Sequence, residues 1–277
     1  MKRVIVPSVA LALVCCAPST FGGETIEYHL QPGQAWRCRR ETVTLIPQGD
    51  NTLESRQTTT IDYAVKAGSE SGTLILEARV SEHVNSMTMP GLPAIPSQSM
   101  ALGGITFRAT LGAKGLLGPA QVETTDPEAL DNQRQQAEAT ARNLTSTVFW
   151  FPNLPAQLPA PGEEFESERK DRLGDSGPVS MATDMRVQQT YTLDEVRDGV
   201  AWCSVTERIS TRQKHPMSDT DITTDTKSEG TAEFDLAKGM WTAMTTTSKT
   251  TTGGLPEGMA GGGATTRMTV RMEPVGP

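Results

Sequence analysis

Apolar and polar residues alternate along most of this chain. Ile61, Tyr63 and Val65 alternate with Asp62 and Ala64. Leu74, Leu76, Ala78 and Val80 alternate with Ile75, Glu77 and Arg79, and Ala201, Cys203 and Val205 with Trp202, Ser204 and Thr206. A period of two marks strands with one buried and one wet face, the usual state of strands in antiparallel sheets. Threonine triplets at Thr58-Thr59-Thr60, Thr245-Thr246-Thr247 and Thr250-Thr251-Thr252 suit solvated strand faces. Thr265 to Met272 reads as a last strand, with Met268, Val270 and Met272 set against Thr269 and Arg271.

Glycines punctuate these runs. Asp198-Gly199, Lys238-Gly239 and Ala113-Lys114-Gly115 read as hairpin turns, where glycine takes a positive φ at little cost. One stretch departs from the period of two. Asp126-Pro127-Glu128 is a helix start, with Asp126 as N-cap and Pro127 at the first helical position. Leu130, Ala137, Ala141 and Leu144 then fall on one thin stripe, which predicts a helix near 127–145 lying on the sheet surface.

The pattern occurs twice. Pro32-Gly33-Gln34-Ala35-Trp36 opens one half and Pro161-Gly162-Glu163-Glu164-Phe165 the other. Tyr63 matches Tyr191, Gly72 matches Gly199, Phe107 matches Phe234, and Lys114-Gly115 matches Lys238-Gly239, always in order. An ordered internal repeat constrains the fold strongly. The expected architecture is mainly β: two duplicated antiparallel β units forming a curved sheet or incomplete barrel, with one connecting helix. The units span residues 24–125 and 161–277, joined by a helix and Pro-rich connector over 126–160. Met87 to Gly104, with Pro90, Pro93 and Pro96, reads as irregular and suited to a lid. Phe149-Trp150-Phe151 with its prolines either seals the core between the halves or anchors a membrane or partner.

The N-terminus changes the setting. Met1-Lys2-Arg3 is basic, and Val4 to Ala17 is an apolar run too short for a membrane span. This is the pattern of a secretory signal peptide over residues 1–22, with a cut after Gly22 favoured over Ala17. Leu13-Val14-Cys15-Cys16 also resembles the lipobox of bacterial lipoproteins, with Cys16 as the acylated residue and Cys15 where that motif has a smaller residue. The protein is expected to be exported, to the periplasm, the outer membrane or the outside, without a transmembrane span in the mature chain.

Without residues 1–22, Lys+Arg falls from 25 to 23 against 33 Asp+Glu, a net charge of −10. That argues against nucleic acid as a partner, since its binders carry clustered positive charge. Arg37, Arg39 and Arg40 form one small basic cluster, read as a solvated strand face. The mature chain keeps two cysteines, Cys38 and Cys203, one in each half, and an oxidising compartment would permit a bridge between them. No pair has the CxxC spacing of a structural zinc site, so neither metal nor cofactor is expected.

Gly174-Asp175-Ser176-Gly177-Pro178 resembles the nucleophile motif of trypsin-like serine proteases, one glycine short. That chemistry needs a histidine oriented by a carboxylate. His29 and His83 lack the family's Ala-Ala-His-Cys setting, and the five residues read equally as a polar loop. His215 has no metal-ligand spacing. Asp219, Asp221 and Asp225 share a strand face and read as a solvated acidic edge rather than a calcium site. Asn143-Leu144-Thr145 is a glycosylation sequon without use behind a bacterial-looking signal.

Leu30 to Trp36, Ser71-Gly72, Asp198-Gly199 and the late Lys-Gly turn together resemble a diffuse class of bacterial secreted and envelope proteins with a duplicated β-rich unit and no assigned activity. In architecture, a long curved sheet with a covering helix is similar to periplasmic lipoprotein carriers. The expectation is an exported, non-enzymatic envelope protein. It either binds an apolar ligand or lipid in a cavity lined by Tyr63, Leu74, Leu76, Tyr191 and Trp202, or serves as a structural or protein-interaction module. A serine hydrolase using Ser176 is the remote alternative.

Overall fold

The computed structural model describes residues 25–48, 50–88, 95–99, 105–117, 120–124, 148–173, 183–214, 221–253 and 263–274. The expected signal peptide, Cys16, the helix near 127–145, Ser176, His215 and Asp219 lie outside the described residues.

The described chain is almost entirely strand. In chain order the strands are β1 (Ala35–Gln48), β2 (Asn51–Ala67), β3 (Leu74–Thr88), β4 (Ile95–Ser99), β5 (Ile105–Gly112), β6 (Gly115–Leu116) and β7 (Gln121–Thr124). The second half adds β8 (Glu164–Leu173), β9 (Thr183–Arg197), β10 (Val200–Lys214), β11 (Asp221–Asp235), β12 (Met240–Gly253) and β13 (Ala264–Pro274). All belong to one sheet of 13 strands, ordered β6-β5-β3-β2-β1-β13-β12-β11-β10-β9-β8, with β4 on β3 and β7 on β5. The last strand closes on the first, Trp36 opposite Pro274 and Leu45 opposite Thr265, so the halves share an unbroken antiparallel ladder.

The sheet is open but strongly curled. On a flat sheet β5 and β12 would lie about 24 Å apart, five steps of about 4.8 Å. Yet the neighbouring residues Tyr28 and His29 donate their N–H groups to Ala113 C=O (2.8 Å) and Gly239 C=O (3.2 Å), at the β5–β6 and β11–β12 turns. One residue step therefore bridges hairpins that the ladder alone would hold far apart. Among the described residues the end strands β6 and β8 do not pair, and the connector bonds to the β5–β6 turn and to a side chain of β8. Leu154 N–H donates to Lys114 C=O at 2.7 Å. Asn153 N–H donates to Ser167 Oγ of β8 at 2.9 Å. At Gly115 a Cβ would come within 2.4 Å of Asn153 Oδ1, so glycine lets the connector approach.

The alternation read from the sequence sets the two faces. Ile61, Tyr63, Val65, Leu76, Ala78, Val80, Ala201, Cys203 and Val205 all point into one buried cluster on the inner face. Phe149, Phe151 and Leu154 of the connector are buried in the same cluster, so the apolar segment seals the core between the halves. Aromatic contacts run across it from Phe149 to Tyr63, Tyr63 to Trp36, Trp36 to Phe151, Phe151 to Tyr28, and Tyr28 to Phe234. They continue from Phe234 to Trp241, Tyr191 and Phe165.

The outer face carries charge. Arg37 meets Asp62 at 2.7 Å, Glu77 meets Lys66 at 2.5 Å and Arg108 at 2.7 Å, and Arg208 meets Asp225 at 2.8 Å. A strand charge facing lipid costs about 2–4 kcal/mol near the bilayer midplane, so this face is built for water. Asp221 and Asp225 do not form the solvated acidic edge expected from the sequence: β11 is paired on both sides, by β10 and β12, and each carboxylate is bound across the strands, Asp221 by Arg212 and Asp225 by Arg208.

Two expectations change. β3 continues through Thr88, and Ile95–Ser99 pairs with it, so Met87 to Gly104 is not irregular throughout. Pro96 falls where the β3–β4 register shifts, between Asn85 and Met87, an irregular position at which a sheet tolerates proline. Cys38 and Cys203 are free thiols, and the bridge is not formed. They sit on β1 and β10 with three strands between them, whereas a disulfide needs Cα atoms within about 7 Å.

Candidate functional site

The two halves place their residues in the same register. On β1–β3, Trp36 faces Tyr63, Tyr63 faces Ala78, Val65 faces Leu76 and Ile61 faces Val80. On β8–β10, Phe165 faces Tyr191, Tyr191 faces Val205, Leu193 faces Cys203 and Gln189 faces Glu207. Each unit opens on the same turn: Gly33 (φ 92°) donates to Val65 C=O at 2.9 Å, and Gly162 (φ 87°) to Leu193 C=O at 2.7 Å. Trp36 stacks on Tyr63 at 5.2 Å and Phe165 on Tyr191 at 5.0 Å. The match stops at the next strand. Phe107 faces Ala78 but Phe234 faces Ala201, four residues out of step. These two phenylalanines are both buried but not equivalent in register.

The shared register lets the inner faces of the two halves be compared position by position. Where an inward position keeps its character, packing explains it. Where it changes from apolar to polar, something else is needed. Gln189 and Glu207 stand at the register position that Ile61 and Val80 hold in the first half, and they anchor a chain of hydrogen bonds. Gln189 Nε2 donates to Glu207 Oε2 at 2.6 Å, and Ser228 Oγ donates to Glu207 Oε1 at 3.3 Å. Tyr191 OH donates to Gln189 Oε1 at 3.2 Å, and Trp150 Nε1 donates to Tyr191 OH at 3.4 Å. The connector is thereby tied to the second half by polar bonds as well as by packing.

Arg40 lies on the inner face too. Even positions of β1 turn inward with Trp36 and Cys38, so the reading of Arg37, Arg39 and Arg40 as one solvated face fails at Arg40. Burial pulls its guanidinium below the ordinary arginine value, while Cys38, the Glu207 carboxylate and Tyr63 act the other way. Arg40 and Glu207 sit on strands with three others between them, so their mutual influence follows from the curl. In the first half, His83 is buried. Its Nδ1 is 3.0 Å from Thr59 Oγ1 and its Nε2 is 3.2 Å from Gln57 Nε2. Burial lowers the His83 pKa. A bulge at Thr60/Ile61 shifts the β2–β3 register and brings His83 into line with buried Thr59.

The residues expected to line a cavity divide. Tyr63, Leu76 and Tyr191 are all at 2% exposure or less, inside a filled core. Tyr63 OH donates to Val148 C=O, which anchors the connector. Burial drives the hydroxyl pKa values of Tyr63 and Tyr191 far above the tyrosine range. Trp202 lies on the opposite, outer face, beneath the Arg197 guanidinium at 5.3 Å, because it alternates with inward Ala201 and Cys203. Leu74 alone lines an opening. With Tyr28, Leu30, Leu111 and the Gly68–Thr73 turn it borders a recess of about 440 Å³ at the end of the sheet.

Among the described residues, no group of three or more His, Cys, Asp or Glu side chains could hold a metal ion. No described helix is long and apolar enough to cross a membrane. Sequence reading missed Arg40, Gln189, Glu207 and His83. The available signal was parity, since each falls on the inward phase of its strand once the bulges are counted.

No family model matches the chain, and no curated protein matches it. Among solved structures it is similar to OmpTdeltaL8, a loop L8 deletion mutant of OmpT, an outer membrane protein of Vibrio cholerae. Identity is 9%, the match covers 86% of this chain and 98% of that one, and the TM-score is 0.29. A likeness of that size carries no argument about this chain.

Proposed function

We propose that this chain is an exported, non-enzymatic protein of the cell envelope that works as a structural or protein-interaction module, built from two descendants of one β unit. The observation that carries the reading is the filled core. Tyr63, Leu76 and Tyr191 pack against the connector instead of walling a cavity, so the working surface lies outside. Common descent of the units is supported by the shared register of β1–β3 and β8–β10 and by their matching turns. Export is supported by the basic start and short apolar run of residues 1–22. A non-enzymatic role is in keeping with His83, whose ring meets Thr59 and Gln57 instead of a carboxylate.

Carriage of an apolar ligand or lipid is the second reading. It draws on the recess beside Leu74, whose volume of about 440 Å³ falls in the range of small-ligand sites. Native mass spectrometry of the protein purified from its own envelope separates the two. A polypeptide mass without adduct is the expected result. An adduct removed by organic solvent and identified as lipid overturns the module reading in favour of the carrier.

A further inference from the structure

Strand β8 ends the sheet, and among the described residues it pairs only with β9. Antiparallel backbone bonds alternate along a strand. Leu193 N–H donates to Glu163 C=O, so Phe165, Ser167 and Arg169 turn their backbone groups toward β9. Glu164, Glu166, Glu168 and Lys170 turn theirs away from β9, where among the described residues no backbone group meets them. Such a row is a template for another strand, and natural proteins blunt it with charge. A blunting edge repels its own copy when its charges have one sign. Here the sign changes halfway: Glu164, Glu166 and Glu168 are followed by Lys170 and Arg172. Glu164 to Lys170 at these alternate positions are all exposed.

This order is self-complementary. If the strand pairs antiparallel with itself about a two-fold axis at Arg169, Glu168 falls opposite Lys170 of the second copy and Glu166 opposite Arg172. Each opposition occurs twice. The residues that offer free backbone groups are the same ones that carry the matching charges, so the hydrogen-bond phase and the charge register agree. Among the described residues the strands at the other end of the sheet are shorter: β4 has 5 residues, β6 has 2 and β7 has 4. We propose that β8 pairs with β8 of a second copy, giving a closed two-fold dimer whose sheet runs on across the axis. The inference is independent of whether the protein is a module or a carrier.

Sedimentation velocity on the mature chain from micromolar to millimolar concentration tests it. A reversible dimer is expected. Lys170→Glu sets acidic residues opposite each other at two places and raises the dimer Kd about tenfold or more. The double variant Glu168→Lys, Lys170→Glu restores opposite charges and the dimer. A monomer across the whole range overturns the proposal, as does a dimer indifferent to Lys170→Glu or a double variant that stays apart. Hydrogen exchange on the unaltered chain guards against a misfolded variant. The amides of Glu166, Glu168 and Lys170 gain protection as concentration rises, and unchanged exchange there refutes the pairing.

Discussion

Gln189 donates a 2.6 Å hydrogen bond to Glu207 at the cross-strand position where Ile61 faces Val80 in the other half. One register thus carries an apolar pair on one side of the molecule and a polar pair on the other. The polar pair is completed by Ser228 and Tyr191 and lies within the influence of Arg40. The network is half-buried, and a half-satisfied network shielded from water is worse than an apolar one, so its members depend on each other.

That dependence is measurable. Gln189→Ile leaves the Glu207 carboxylate short of a donor and destabilises by about 1–3 kcal/mol. Adding Glu207→Val copies the first half's pair, and the double variant is expected to cost less than the two single changes together. Urea unfolding of the four proteins gives the coupling directly. Additive losses would mean that the pair acts as two separate side chains.

The stitch between the N-terminal segment and the β11–β12 turn rests on a glycine. Gly239 has φ 57°, and a Cβ there would lie 2.4 Å from His29 N and 2.7 Å from Glu27 O. Gly72 has φ 79° but open space around it. Gly72→Ala should cost about 1–2 kcal/mol, the strain of a left-handed backbone alone. Gly239→Ala should cost distinctly more, because the segment at Glu27–His29 must also move. Equal losses in thermal unfolding would show that this close approach contributes nothing.

The thiols give a simple readout. Cys38 and Cys203 are buried, and burial pushes both up to about 12, which leaves them protonated and unreactive at neutral pH. A thiol reagent should label neither in the folded mature chain and both after denaturation. The intact mass should show no loss of two hydrogens, and a bridged mass would contradict the separation of β1 and β10.

His83 predicts an acid-side weakness. Its folded pKa lies below the ordinary 6.5, so the unfolded chain binds the proton first. The stability that neutral His83 contributes is therefore complete above about pH 6.5. It is lost as pH falls from there through the folded value. Denaturation midpoints recorded between about pH 8 and 5 should fall in the natural protein and fall less in His83→Gln. Parallel slopes would remove His83 as the cause.

Much of the fold was legible because strand alternation is a local property. The inward phase at Ile61, Tyr63 and Val65 and the turns at Gly72 and Gly199 follow from residue order, whereas the choice between seal and anchor for Phe149 and Phe151 was made only by their burial in the common cluster. Phase goes astray where a bulge inserts a residue, as between Thr60 and Ile61, and His83 was hidden for that reason. The cavity reading of Tyr63, Leu76 and Tyr191 went astray differently. A chain can show that these side chains face inward, but not that another segment already fills the space.

The sequence by itself determined the β class, the strand phase and the main turns, all set by neighbours within a few residues. Only the tertiary structure decided that β13 closes on β1, that the sheet curls until Tyr28 and His29 reach both sets of turns, and that Arg40 comes under the influence of Glu207. Those outcomes depend on long-range pairing and on which apolar surface covers which. Neither quantity is carried by any local stretch of the chain.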